Sequence, residues 1–400
     1  QIAYFCVQNC RDMYIERLQK ENLQNEITQS NKVLVLYGAR QVGKTTLVRE
    51  TLSGYPGKVL EINADTIPFV DALSSRNLEQ MKGLVEGYDL LFLDEAQRIP
   101  DIGINLKILH DHVPGLKIIA TGSSSLELAN RVKEPLTGRT WTFHLFPVSA
   151  EEWANHQGAN DFEVAQKLEE WLLYGLYPEV LGIENRERKV RYLQELTQSY
   201  LYKDILTLGN VRYPEKLRQL LKLLAWQLGN LVSLNELANT LQISRDAVLN
   251  YMDLLEKSFV IFRLSGFSRN LRKEMTKMDK VYFHDLGVRN TLIENFNSLT
   301  TRQDIGPLWE NFLISERLKT SHYHFHYGSR YFWRTQTGAD LDFLEETGGQ
   351  LHGFEFKWGQ KVSHPPKSWT ENYPEATFHC VNRDNFMGFV RLGRHNGQAR

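Results

Sequence analysis

Three cysteines in 400 residues, Cys6, Cys10 and Cys380, are too few and too odd in number for a disulfide framework. Such sparse thiols fit a reducing compartment, and a cytoplasmic location is expected. Cys6 and Cys10 stand one helical turn apart, but no second Cys/His pair lies near them in sequence, so they read as plain thiols. No stretch approaches eighteen uninterrupted apolar residues, so neither a membrane-spanning helix nor a membrane partner is expected. An excess of one charge is missing too. Lys and Arg total 47 against 48 Asp and Glu, a formal net charge of −1, so contact with nucleic acid must come from a local patch. The first ten residues, from Gln1, lack a basic start followed by an apolar run, and no signal peptide is expected. There is no internal repeat and no low-complexity tract. What is present is a globular composition, 42% hydrophobic and 24% charged, long enough for two or three cores.

From Val33 the chain reads VLVLYGARQVGKTTLVRE: an aliphatic run, a glycine-bounded loop and a helix-forming stretch. Further apolar runs at Lys58–Ile62, Leu90–Leu93 and Lys117–Ala120 alternate with helical spacing at Asn77–Leu84 and Ile104–His110. That alternation implies an α/β fold with a parallel sheet covered on both faces. After Pro147 the pattern turns largely helical to Asn210, with a break at Gly175–Pro178. Between Tyr213 and Leu264 three helices and two short strands are expected. Leu217, Leu220, Leu221 and Leu224 form the first stripe, and Ser244 caps a longer helix after a short one. This is helix-turn-helix spacing followed by a wing-like strand. A last αβ unit begins near Leu308, with a helix over LWENFLISERLK and strands around Tyr331–Trp333, Leu341–Leu344 and Gly353–Lys357.

Gly38-Ala39-Arg40-Gln41-Val42-Gly43-Lys44-Thr45 satisfies GxxxxGK[ST] at every fixed position, between a predicted strand and a predicted helix. In that setting successive N–H groups through Thr46 cradle phosphates, Lys44 neutralises the β/γ charge and Thr45 offers a hydroxyl to Mg²⁺. LLFLDEAQ then ends a strand in Asp94-Glu95. Asp94 is placed to hold the Mg²⁺ shell and Glu95 to polarise an attacking water, which points to ATP hydrolysis rather than binding alone. Thr121 or Ser123, at the tip of the next strand, is a candidate sensor of the γ-phosphate, although Ser and Thr there serve equally often as helix caps. Arg139 is the candidate arginine finger; acting from a neighbouring subunit, it would imply a homo-oligomer.

GARQVGKTTL, LLFLDEAQRIP, IIATGSSS, LTGR, YGLYPEV, YLYKDIL, VYFHDLGVRN and DIGPLWENFLISERL, in this order, resemble the prokaryotic AAA-type ATPases that carry a C-terminal domain of unknown function. The resemblance runs from about Arg11 to Trp358. It implies a P-loop NTPase core, a winged helix and a nuclease-like region. Leu176 departs from it, since relatives often have a second glycine there.

In the last unit, Asp342 and the Glu355-Phe356-Lys357 triplet fall on neighbouring predicted strands, thirteen residues apart from acid to acid. Alternation places Glu355 and Lys357 on one face, and Glu310 comes from the preceding helix. Asp340 shares the parity of Asp342 and is a competing or assisting acid. The set is similar to the PD-(D/E)xK nuclease fold, a restriction-endonuclease-like αβ domain. That resemblance implies a second Mg²⁺ or Mn²⁺ on the acids and a lysine that orients water and phosphate. The alternative is a structural salt-bridge network in a fold without nuclease activity, within a nucleotide-controlled binding switch. The aromatic HYHFHYGSRYFW stretch reads as core filling rather than a metal or base-stacking site.

Residues 211–280 hold 12 Lys/Arg against 7 Asp/Glu, about +5 in a chain of net charge −1, and form a candidate DNA footprint. Arg245 and Asn250 would reach base edges, while Arg269, Arg272, Lys273 and Lys277 would meet backbone. Interdomain packing is the competing role for this unit. The expected divisions are an N-terminal helical segment (1–31), the ATPase core (32–148), a helical lid or linker (149–212), a winged helix (213–268), a basic connector (269–308), the nuclease-like domain (309–387) and a tail (388–400).

Overall fold

The structure, a computed structural model, describes residues 14–122, 136–199, 211, 213–268, 278–335, 337–360 and 362–392. It divides into two compact units, a smaller one of Glu16–Pro147 with Lys257–Phe259, and a larger one holding Val148–Glu256 and the chain from Val260 on.

In the smaller unit α1 (Gln19–Gln29) leads into β1 (Val33–Tyr37), followed by α2 (Lys44–Leu52), β2 (Val59–Asn63), α3 (Ile67–Ser74), α4 (Leu78–Val85), β3 (Leu90–Asp94), α5 (Ile102–His112), β4 (Lys117–Gly122) and β5 (Thr140–His144). The five strands form a parallel sheet in the order β2-β3-β4-β1-β5. All five residues of β1 and of β3 are buried, because helices cover both faces; an unbroken aliphatic run suits such a strand better than alternation. The edge strand β2 keeps Val59 and Leu60 half-exposed and Glu61 exposed, paired with Arg49 of α2. Burying Leu91, Phe92 and Leu93 contributes about 1.5–3 kcal/mol each. The strands expected from sequence are therefore present, with ends displaced by one or two residues.

The larger unit opens with α6 (Ala150–Gln157) and α7 (Asp161–Tyr174), each started by a reciprocal capping box, Ser149 with Glu152 and Asn160 with Glu163. Then come α8 (Pro178–Gly182), α9 (Arg186–Leu196), α10 (Pro214–Trp226), β6 (Leu231–Val232), α11 (Leu234–Leu241), α12 (Arg245–Lys257), β7 (Ile261–Gly266), β8 (Asp279–Phe283), α13 (Leu286–Leu292), α14 (Ile305–Tyr323), β9 (Ser329–Arg334), β10 (Asp340–Thr347), β11 (Gln350–Phe356), α15 (Lys367–Asn372), β12 (Thr377–Val381) and α16 (Phe386–Val390). The leucine stripe of α10 is fully buried, and Ser244 accepts a hydrogen bond from Ala247 N at 3.1 Å, starting α12.

One finding departs from the sequence-drawn divisions. β6, β7 and β8 do not form a separate wing; they continue into β9–β12 as one seven-stranded sheet, β12-β11-β10-β9-β7-β8-β6, joined by parallel pairing of Ser265 with Tyr331 and Gly266 with Phe332. A division at residue 268 falls inside this sheet. Such pairing joins strands over sixty residues apart, a relation that periodicity does not carry. Phe267, beyond β7, packs in one core with Trp333, Leu341, Leu344, Leu351 and Trp369, so the aromatic stretch does fill a core at Phe332 and Trp333.

Two of the motifs that carry the family resemblance meet in the same unit. Gly175 ends α7 at φ 73°, and a Cβ there would lie 2.1 Å from Asp285 Oδ1. The Asp285 carboxylate accepts from Leu176 N at 2.7 Å and caps α13 through Val288 N at 3.1 Å. Asn290 donates to the Leu172 and Leu173 carbonyls, both at 2.9 Å. These residues tie α7 to α13.

Candidate functional site

The phosphate loop leaves the buried end of β1, a strand with a parallel neighbour on each side. Gly38 must be glycine, since a Cβ would sit 2.2 Å from the Leu145 carbonyl oxygen. Gly43 must be too, for it holds φ 95° at the start of α2. Ala39 and Val42 are buried and pin the loop, whereas Arg40 is half-buried and Gln41 and Thr46 are exposed. Lys44, only 5% exposed, donates to the carbonyls of Gly38 at 3.0 Å and Ala39 at 2.9 Å, so its ammonium lies across the loop.

Asp94 ends β3, and β4 lies beside it with Leu93 against Ala120. That register brings three predicted residues together. Thr45 Oγ1 donates toward both Asp94 oxygens, at 3.0 and 2.9 Å, and Thr121 Oγ1 donates to Asp94 Oδ1 at 2.5 Å. The backbone N–H of Glu95 in turn donates to Thr121 Oγ1 at 3.3 Å. Glu95 stands just beyond at φ 55°, ψ 41°, a left-handed conformation that non-glycine residues seldom hold, and Gln97 donates to its carboxylate. A threonine hydroxyl and a carboxylate side by side are hard oxygen donors of the kind Mg²⁺ takes alongside phosphate and water, so this pair fits the ion. Ser123, the other sensor candidate, lies outside the described residues.

Arg139 precedes β5 at the end opposite the loop: β5 pairs Thr140 with Val33 and His144 with Tyr37. Five residues of strand span about 16 Å, beyond the reach of one side chain, so Arg139 cannot serve the loop of its own chain. Its Nε donates to Asp111 at 2.9 Å, and that bond, with a second from His110, holds the Asp111 carboxyl below its ordinary range.

In the larger unit the C-terminal set also assembles. The β10–β11 register, Phe343 against Phe354, carries Asp342 to the level of Glu355. A register shift between β9 and β10 falls between Leu341 and Leu344, a bulge that re-aims side chains at Asp342. Asp342 accepts from Phe356 N at 2.7 Å, and Lys357 Nζ donates to Glu355 at 2.5 Å. Glu310 on α14 accepts from Lys280 Nζ at 2.8 Å and from Tyr282 OH at 2.5 Å. Burial pushes Glu310 up to about 7; Lys280 opposes the rise and Asp342 adds to it. Burial also raises Asp342 and Glu355, the latter further because Asp342 and Asp340 are near. Sequence reasoning misses Lys280 and Tyr282, since Lys280 counts only toward a basic patch and Tyr282 stands only within the VYFHDLGVRN motif; β8 brings both to Glu310. Among the described residues no group of three or more His, Cys, Asp or Glu is disposed to hold a metal ion. Nothing in this geometry supports the expected second Mg²⁺ or Mn²⁺: Lys280 pairs with Glu310 and Lys357 with Glu355.

Arg245 and Asn250 are exposed on α12, whereas Arg269, Arg272, Lys273 and Lys277 lie outside the described residues, as do Cys6 and Cys10. Among the described residues no helix is long and apolar enough to cross a membrane.

An AAA domain matches residues 30–154, and two domains of unknown function, DUF8612 and DUF4143, match residues 165–299 and 305–381. An uncharacterized protein of Mycobacterium tuberculosis is 30% identical over 329 residues, covering 81% of this chain and 70% of its own. An uncharacterized protein of Methanocaldococcus jannaschii is 25% identical over 331 residues, covering 78% and 72%. Among solved structures, the Thermotoga maritima RuvB Holliday junction branch migration motor aligns over 62% of this chain and 90% of its own, at 15% identity and a TM-score of 0.32. A signal transduction ATPase with a tetratricopeptide repeat sensor from Pyrococcus horikoshii aligns over 78% and 48%, at 12% identity and a TM-score of 0.31.

Proposed function

The chain belongs to an AAA-type ATPase family shared with the mycobacterial protein, and from that premise we propose that it binds and hydrolyses ATP at the 38–46 loop. One observation carries the reading: Thr45 from α2 and Thr121 from β4 both donate to the Asp94 carboxylate at the end of the adjacent strand, while Lys44 lies across the loop that Thr45 follows. The loop amides of residues 38–46 and Lys44 hold the phosphates, and Thr45 and Asp94 would hold Mg²⁺, which would supply further neutralisation of phosphate charge. Glu95 accepts a proton from the attacking water, and Thr121 reports the γ-phosphate to Asp94 and Glu95. Arg139 acts on the site of a second copy, which makes the active form a homo-oligomer. Turnover is coupled to DNA through the α11–α12 pair, a helix-turn-helix reading supported by the exposed Arg245 and Asn250 and the local excess of basic residues.

The test is ATP turnover by the wild type and Lys44→Ala, with and without DNA. We expect at least a hundredfold loss of kcat/KM in the variant, since the lysine meets charge that grows in the transition state. Equal rates would sink the assignment, and a wild-type rate indifferent to DNA would remove the coupling.

A second reading has its own observation. The Lys280–Glu310 and Lys357–Glu355 pairs favour a nuclease-like fold without cleavage activity, serving a nucleotide-controlled switch. Incubating the protein with branched and linear DNA and Mn²⁺ tests it: cleavage that disappears in Lys357→Ala would overturn this reading.

A further inference from the structure

We propose that Arg17 is a positioning residue of the phosphate loop, fixing the direction of the Gly43 N–H through the carbonyl on the other side of the same peptide. The inference rests on the nucleotide reading of that loop. Arg17 lies just before α1, 4% exposed, within the smaller unit. Its Nη1 donates to the Val42 carbonyl at 2.8 Å and its Nη2 to the Phe146 carbonyl at 2.6 Å. One planar guanidinium thus holds two segments that are more than a hundred residues apart.

The Val42–Gly43 peptide is trans, so its C=O and N–H point in opposite directions. Anchoring the oxygen on Arg17 turns the Gly43 N–H to the other side of the loop and polarises it, because a peptide that accepts a charged hydrogen bond donates a stronger one. Val42 is itself fully buried, so the peptide has little room to flip. The second arm acts on the other glycine. Leu145, beside Phe146, donates its N–H to the Tyr37 carbonyl at 2.7 Å, and its own carbonyl lies where a Gly38 Cβ would be. Arg17 therefore governs both glycine ends of the loop. Its Nη1 is also 3.9 Å from the Cβ position of Gly43, which leaves a buried positive charge behind the donors that face a phosphate.

A lysine has one charged centre and lacks the fork that spans two carbonyls, so Arg17→Lys keeps charge but not geometry. A β-phosphate contact is made alike in bound substrate and transition state, so weakening it raises KM and leaves kcat per folded molecule nearly constant. We expect KM for ATP to rise about tenfold in Arg17→Met, with Arg17→Lys intermediate, and fluorescent ADP to weaken in the same order. A role in folding alone would act differently, lowering the folded fraction and the apparent kcat while KM stayed at the wild-type value; that result overturns the proposal. Should Arg17→Met not fold, Arg17→Lys decides: a wild-type KM and an unchanged rise in melting temperature on adding ADP would overturn it. Lys44→Ala in the same ADP titration separates the two readings. If Lys44→Ala weakens ADP and the Arg17 variants do not, only the Arg17 inference fails; if Lys44→Ala leaves ADP binding intact, the nucleotide reading fails with it.

Discussion

Glu95 holds a backbone conformation that an L-residue adopts at a penalty of about 1–3 kcal/mol, and it does so one residue beyond Asp94, with its N–H on Thr121 and its carboxylate bonded by Gln97. In the proposed mechanism the two acids of the pair have different duties although they are chain neighbours. For Glu95→Gln we expect ATP affinity within about threefold of wild type and turnover lowered by about two to three orders of magnitude, because the amide keeps shape and hydrogen bonds but takes no proton. Fluorescent-nucleotide titration beside single-turnover kinetics checks this, and loss of binding would give Glu95 another task. At the same scale, Lys44, Thr45 and Asp94 were legible because the motif names residues at set spacing. Arg17 was not, because nothing within a single arginine 25 residues ahead of Val42 shows which carbonyl it meets.

At the scale of elements, the junction of α13 and α14 depends on one carboxylate. Asp304 precedes α14 and accepts from Arg289 at 2.6 Å and from Arg302 at 2.7 Å, and Arg289 is almost fully buried. Burial works against the ionised acid, but the two arginines prevail and hold its pKa at about 2. The sign follows from that depression. The stability Asp304 adds is present above the ordinary carboxylate range and is lost as pH falls through about 2. Asp304→Asn is expected to destabilise the protein by about 2 kcal/mol at pH 7, by urea unfolding, with a difference that narrows as the pH approaches 2. A difference that stays constant with pH would mean that the amide fails on shape, not charge. The helices themselves were readable: the Ser244 cap and the α10 leucine stripe are local signals. The bulge at Asp342 was not, since a shift of register belongs to a pair of strands rather than to one.

Over the whole molecule, one compact unit holds the phosphate-loop sheet and the other the seven-stranded sheet, where Lys357 pairs with Glu355 and Lys280 with Glu310. Glu310 provides the measurement. Its pKa stands raised at about 7, so the stability tied to its protonated form is full below the ordinary carboxylate range and fades as pH rises through 7. Lys280→Met takes away the cation that opposes this rise. The variant is expected to lose stability steeply between pH 6 and pH 8, by thermal melting, while Lys280→Met with Glu310→Gln recovers a flat profile. A single variant whose pH profile matches that of the wild type would show that Lys280 does not hold the acid. The sequence by itself determined the parallel α/β core, the phosphate loop, the Asp94-Glu95 pair and the candidate acids, because each is a short-range pattern of residue type and spacing. Only the tertiary structure decided that the wing strands and the C-terminal strands share one sheet, that Arg139 stands at the far end from its own loop, and that Lys280 and Tyr282 meet Glu310. Those outcomes depend on strand order, register and which charges come to lie together in a low-dielectric interior, and a linear spacing rule carries none of them.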